Sequence, residues 1–146
     1  MNTRLLVPRS RYAEAITILE AVYRNIPYGD PSDMDNIMGP MVSTAQRKTV
    51  LNYIEKGKAE GARLVVGGGI PKDRTKGYYV EPTLFADVDN KMTIAQEEIF
   101  GPVLTVIPYY DDEDAIRIAN DSIYGLSGSG YKRTFAKNAK FSLYKH

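Results

Sequence analysis

Gln96-Glu97-Glu98-Ile99-Phe100-Gly101-Pro102-Val103 is the stretch on which the fold turns. Glycine and proline punctuate local structure, so Gly101-Pro102 stops whatever precedes it. Val103 to Tyr109 then carries enough β-branched residues to read as a strand. Asp111-Asp112-Glu113-Asp114 opens a helix, because acids favour the positive end of the helix dipole. Ala115, Ile116 and Ala119 are expected on its inner face, and a short helical turn is expected over 93–97. Loop, strand and helix in that order are the repeating unit of a layered α/β sheet.

The same alternation runs upstream. Thr3 to Val7 is a short apolar run closed by Pro8 and reads as a strand. Ser10 is expected to cap a helix from about Arg11 to Asn25. Ala13, Ile16, Leu19, Val22 and Ile26 would form its apolar stripe, and Pro27 would end it. Residues 27–42 are rich in proline, glycine and aspartate and read as a long loop. Ser43 and Gln46 match a Ser-x-x-Gln capping box, with Val42 as its staple. The helix that follows would turn Val50, Leu51 and Ile54 inward and stop at Gly61. Ala62 to Val66 reads as a strand. Tyr78 to Phe85 reads as a second β run, and Pro82 inside it predicts an edge or kinked strand. Residues 124–130 read as loop or weak strand. The predicted class is therefore α/β: a layered, at least partly parallel sheet with flanking helices.

Bulk properties narrow the function classes. At 146 residues the default is one domain with a real core, and 43% apolar with 25% charged residues is ordinary for a globular protein. A net charge of +1 gives no push towards nucleic acid or membrane. The charge is uneven, because Lys132, Arg133, Lys137, Lys140 and Lys145 crowd the last residues without an acid among them. With no cysteine, the chain offers no disulfide, thiolate metal site or thiol nucleophile. No apolar run approaches the ~20 residues that span a bilayer, and no signal-peptide core is present, so a cytoplasmic location is expected.

Few residues carry chemistry. Gly67-Gly68-Gly69 lacks Gly-x-Gly-x-x-Gly spacing and is followed by Ile70-Pro71, so it reads as a turn. Ser127 and Ser129 miss the Gly-x-Ser-x-Gly pattern. His146 is the only histidine, which removes triads and imidazole metal clusters. What remains is the opening stretch. An ionised carboxylate offers two acceptor oxygens that match a vicinal diol. An aromatic two residues after Glu98 suits a flat, partly apolar ring.

The surroundings of that stretch are specific. Gly77-Tyr78-Tyr79-Val80-Glu81-Pro82-Thr83-Leu84-Phe85 and Asp87-Val88 precede it. Ala119-Asn120-Asp121-Ser122 and Tyr124-Gly125-Leu126-Ser127 follow. Gly29-Asp30-Pro31, Met38-Gly39-Pro40 and Tyr53-Ile54-Glu55-Lys56-Gly57 stand further upstream. In this order and spacing they resemble the C-terminal part of the catalytic domain of NAD(P)-dependent aldehyde dehydrogenases. The resemblance covers about Thr3 to Ser129. It divides the chain into a partial catalytic domain over 1–130 and a divergent basic tail over 131–146.

The resemblance implies oxidation of an aldehyde to a carboxylic acid, with hydride passing to NAD or NADP after attack by a cysteine thiolate. It implies that Glu98 holds the nicotinamide ribose and that Phe100 flanks the nicotinamide. Gln46 aligns with a glutamine that reaches cofactor ribose in many members, although a capping box alone also accounts for it. Thr49 stands where members often place a lysine, with Lys48 one position early. The family's cysteine lies just before the stretch matching Thr3 to Val7. Its general base, oxyanion-stabilising asparagine and glycine loop lie further upstream. The expectation is a segment truncated at both ends, inactive alone, with weak or absent cofactor binding. The tail is expected to mark a shifted frame or fusion junction. The alternatives are a non-enzymatic binding or oligomerisation module, pairing with like or unlike chains through an exposed sheet edge, or a gene remnant.

Overall fold

The computed structural model describes residues 3–74 and 76–130. The basic tail over 131–146 lies outside the described residues. Four strands form one sheet in the order β1-β4-β3-β2: β1 Arg4–Pro8, β2 Arg63–Val66, β3 Thr83–Ala86 and β4 Val103–Tyr109. β4 runs parallel to both β1 and β3, and β2 is antiparallel to β3. The expectation of a partly parallel α/β sheet is met.

Residues alternate across a strand, and β3 and β4 use both faces. Leu84, Ala86 and Val106 join Val7 beneath α1 (Tyr12–Arg24), whose Ile16 is buried there. Phe85, Val103 and Ile107 point the other way, into the larger core with Val50 and Ile54 of α2 (Thr44–Ala59), Ile94 of α3 (Thr93–Gln96) and Ile118 of α4 (Asp112–Asn120). Each fully buried side chain of this size contributes about 1.5–3 kcal/mol. The buried Thr83 and Thr105 are satisfied, because their hydroxyls donate to the Glu81 and Thr3 carbonyls.

Several sequence readings are corrected. Ser10 caps nothing. It sits inside a single 3-10 turn, Arg9–Arg11, and α1 begins after it with Arg11 at its N-cap and no side-chain cap. The buried stripe of α1 is Tyr12, Ala15, Ile16, Leu19 and Tyr23, while Ala13 and Val22 face solvent. The apolar bodies of Tyr12 and Tyr23 take the places expected for Ala13 and Val22. Val42 is 88% exposed and is no staple. α4 buries Ile118, with Ala115, Ile116 and Ala119 only partly covered.

Pro82 does not make an edge. β3 begins at the next residue and lies between β4 and β2, fully buried. Proline costs a ladder hydrogen bond only inside the paired segment, and pairing starts at Thr83. Residues 78–81 are not in the strand. They bond to loops instead, Met41 N–H to the Tyr78 carbonyl and Glu81 N–H to the Gly69 carbonyl.

Other expectations hold. Asp111 caps α4 by accepting from the Asp114 N–H at 2.8 Å, and three acids follow in the first turn. Gly61, at φ +94°, closes the end of α2.

Candidate functional site

Residues 97–102 join α3 to β4, and one face of α2 holds them. Gln46, Val50 and Tyr53 stand at helical spacing on that face. Each meets a different part of the loop. Tyr53 donates its hydroxyl to the Glu97 carboxylate at 2.6 Å. That bond, more than burial, pushes the Tyr53 phenol pKa up. Gln46 Nε2 donates to the carbonyls of Phe100 at 3.0 Å and Ile99 at 3.3 Å. Val50 packs so close to Gly101 that a Cβ there would lie 2.5 Å from Cγ2. Only glycine permits that approach.

The loop is pinned from below as well. Ile99 is 2% exposed in the larger core. The buried Pro102 accepts the Thr83 N–H through its carbonyl at 2.8 Å, which ties the loop end to β3. Phe100 sits at φ +55°, a left-handed conformation that costs an L-residue about 1–2 kcal/mol. The bond from Gln46 to its carbonyl and the burial of Ile99 hold it there.

Two side chains of the stretch are left over. Glu98 is exposed and makes no hydrogen bond or ion pair among the described residues. The Phe100 ring is 73% exposed. Chemically this is a fixed backbone offering one free carboxylate and one aromatic face. It suits a ligand with a diol and a flat ring.

The three residues singled out from sequence come together at this loop. Gln46 is the one whose local reading changes. Ser43 Oγ accepts the Gln46 N–H at 3.1 Å, so half of the capping box forms. The Gln46 side chain does not return to Ser43 but reaches the loop carbonyls. Its Oε1 stays without a partner among the described residues. Tyr53 was overlooked as a site residue. Its spacing, seven after Gln46 and three after Val50, was the available signal. Thr49 returns its hydroxyl to the Ala45 carbonyl at 3.1 Å.

Among the described residues no cluster of three or more His, Cys, Asp or Glu could hold a metal ion. No helix there is long and apolar enough to cross a membrane.

Comparison with known proteins gives a consistent result. The family model described as "Aldehyde dehydrogenase family" matches residues 1–142. A betaine aldehyde dehydrogenase of Rhizobium etli is 54% identical over 128 residues, 87% of this chain and 26% of the relative. One from Brucella anthropi is 47% identical over 138 residues, 93% of this chain and 28% of the relative. Among solved structures, a Mycobacterium tuberculosis aldehyde dehydrogenase complexed with NAD+ superposes with TM-score 0.83 at 57% identity, over 85% of this chain and 26% of that one. A Staphylococcus aureus betaine aldehyde dehydrogenase in complex with NAD+ gives 0.82 at 41%, over 84% and 25%. The chain thus spans about a quarter of the length of the relatives it matches.

Proposed function

The chain belongs to the aldehyde dehydrogenase family, and from that premise we propose that its 97–102 loop is the ribose-and-ring wall of a nicotinamide site. Glu98 accepts from the two ribose hydroxyls, Phe100 lies against the nicotinamide, and the free Oε1 of Gln46 adds an acceptor at the ribose. One observation carries this reading: on a loop otherwise tied down, the Glu98 carboxylate and the Phe100 ring alone are unengaged. Relatives solved with NAD+ support the choice of cofactor.

The cofactor, when bound, accepts hydride from a substrate carbon. The residues of this chain orient it and contribute no thiol nucleophile, since they include no cysteine. We therefore read the 146 residues as a positioning segment of an aldehyde-oxidising enzyme, weak in cofactor affinity and silent in turnover by themselves.

The test is a titration of the 146-residue protein with NAD+, followed by amide NMR. Signals of 98–101 are expected to shift at millimolar ligand. Glu98→Gln should weaken binding by about tenfold, the loss of a charge-assisted hydrogen bond pair, and leave the unfolding midpoint unchanged. Shifts confined elsewhere, or affinity indifferent to Glu98→Gln, would overturn the reading. Formation of NADH from simple aldehydes by the pure chain would refute the silent-turnover part.

A further inference from the structure

A second set of polar contacts lies on the far side of the loop's root, away from α2. Gln96 is the last residue of α3 and the residue immediately before Glu97. Its Nε2 donates to two carbonyls, Asn90 at 2.6 Å and Asp121 at 3.0 Å. Asn90 is buried and passes the connection on. Its Nδ2 donates to the Asp121 carboxylate at 2.9 Å, and its Oδ1 accepts from Arg4 Nη1 at 2.9 Å. Arg4 in turn reaches the last carbonyls of α4, Ile118 at 3.4 Å and Ala119 at 3.3 Å. Half-burial draws its pKa down, and the nearby Asp121 partly offsets that. Four segments thus meet at one knot: β1, the turn after β3, the end of α3 and the C-cap of α4.

An arginine at a helix C-terminus satisfies orphan carbonyls and complements the dipole. That much serves stability alone. The connection from this knot to Gln96 has no such need, because a four-residue helix gains little from having its last side chain tethered to two distant carbonyls. Its effect is geometric. Gln96 fixes the root of the loop from the α4 side while Tyr53 fixes Glu97 from the α2 side. Glu98 is the next residue, and its backbone has no direct anchor among the described residues.

We propose that Gln96 is a positioning residue for the nicotinamide loop. It acts through Asn90, Asp121 and Arg4, which hold the carbonyls it grips. The proposal rests on the function proposed above for Glu98 and Phe100, but its structural part stands apart from it. The donor requirement is strict. Both partners of Gln96 Nε2 are carbonyl oxygens, so a side chain there must donate and cannot accept. Glutamate, which is isosteric, would aim carboxylate oxygens at two carbonyls. Lysine keeps donors only and has the reach to restore the contact.

The test uses amide hydrogen exchange on the 146-residue protein, Gln96→Glu and Gln96→Lys, each with its urea midpoint measured alongside. In Gln96→Glu the Glu97 amide, which donates to the Thr93 carbonyl, is expected to exchange about tenfold faster, while the amides of β4 keep their protection. Gln96→Lys should return to within about threefold of the parent. A uniform rise tracking the midpoint would mean a merely structural contact and would sink the proposal. So would unchanged exchange, or a lysine variant as loose as the glutamate one. NAD+ titration of the same three proteins then separates the two ideas. Affinity falling with Gln96→Glu and returning with Gln96→Lys supports both. Loosened exchange without any NAD+ shift in the parent keeps the clamp and removes the nicotinamide site.

Discussion

Gly101→Ala tests the contact on which the loop's placement depends. The new Cβ would meet Val50 Cγ2 at 2.5 Å and Cγ1 at 2.8 Å, where ordinary contact is 3.4–4 Å. Neither side can yield easily. Val50 has no exposed surface and, being β-branched in a helix, is confined to essentially one rotamer. The loop is held on one side by Gln46 at the Phe100 carbonyl and on the other by Thr83 N–H at the Pro102 carbonyl. Overpacking of this kind costs about 1–3 kcal/mol. The stiffer unfolded chain of an alanine returns about 0.4–1 kcal/mol, so a net loss of about 1–2 kcal/mol is expected. With a urea slope of about 1–3 kcal/mol/M, the midpoint should fall by about 0.3–2 M.

Val50→Ala alone removes both colliding carbons from a closed core and should cost about 2 kcal/mol. Combined with Gly101→Ala, the added methyl occupies the space those carbons leave. The double variant should therefore be less damaged than the two losses added, by about 1–2 kcal/mol of coupling. Urea unfolding followed by far-UV circular dichroism reads all four proteins. A neutral Gly101→Ala, or losses that add to within about 0.5 kcal/mol, would refute the packing argument.

Two further outcomes follow from single residues. Phe100→Asn replaces an exposed ring at φ +55° with a residue that tolerates that conformation, and should raise stability by up to about 1 kcal/mol while NAD+ binding weakens. Unfolding midpoints and NMR titration on the same samples check both halves. The Asp114 carboxyl sits below its ordinary 3.8, first through the Tyr110 N–H it accepts and then through Arg117. A depressed carboxyl stabilises above its unfolded pKa and loses that contribution as pH falls through the folded value. Asp114→Asn should accordingly be less stable than the parent near neutrality, and the gap should close below pH 3.8. A gap that is constant from neutral to acid pH would contradict this.

Much of the fold was legible because short-range rules govern it. The β-branched run of β4, the acids at the start of α4 and the Ser43 cap of α2 all act within a few residues of themselves. What escaped depends on distant partners. Gln46 satisfies a local capping rule on paper, but carbonyls 53 and 54 residues away take its amide. Pro82 looked like a fault inside a strand, and only the pairing partner, Val103, shows that the ladder starts after it. The cap expected for α1 failed for a similar reason. Ser10 was an adequate cap by composition, yet the turn out of β1 used it before the helix began. At the site, Glu98 and Phe100 were recognisable from the motif itself. Tyr53 carried only its helical spacing to Gln46 and Val50 as a signal, and the Arg4–Asn90–Asp121 group had none, since nothing local marks a residue as the support of another.

The pairing of β1 with β4 has a consequence for how the chain comes into being. Arg4 lies opposite Thr105, and among the described residues no other strand flanks β1 in the sheet. A ribosome adding about 5–20 residues per second needs about 5–20 s to deliver the partner after β1 has been made. During that interval Leu5, Leu6 and Val7 lack the β4 partner they take in this sheet, while β2, β3 and β4 are made close together and can pair among themselves. Long-range parallel pairing is slow to form, so of these four strands β1 is expected to dock last. The Arg4 knot closes only once α4 has arrived.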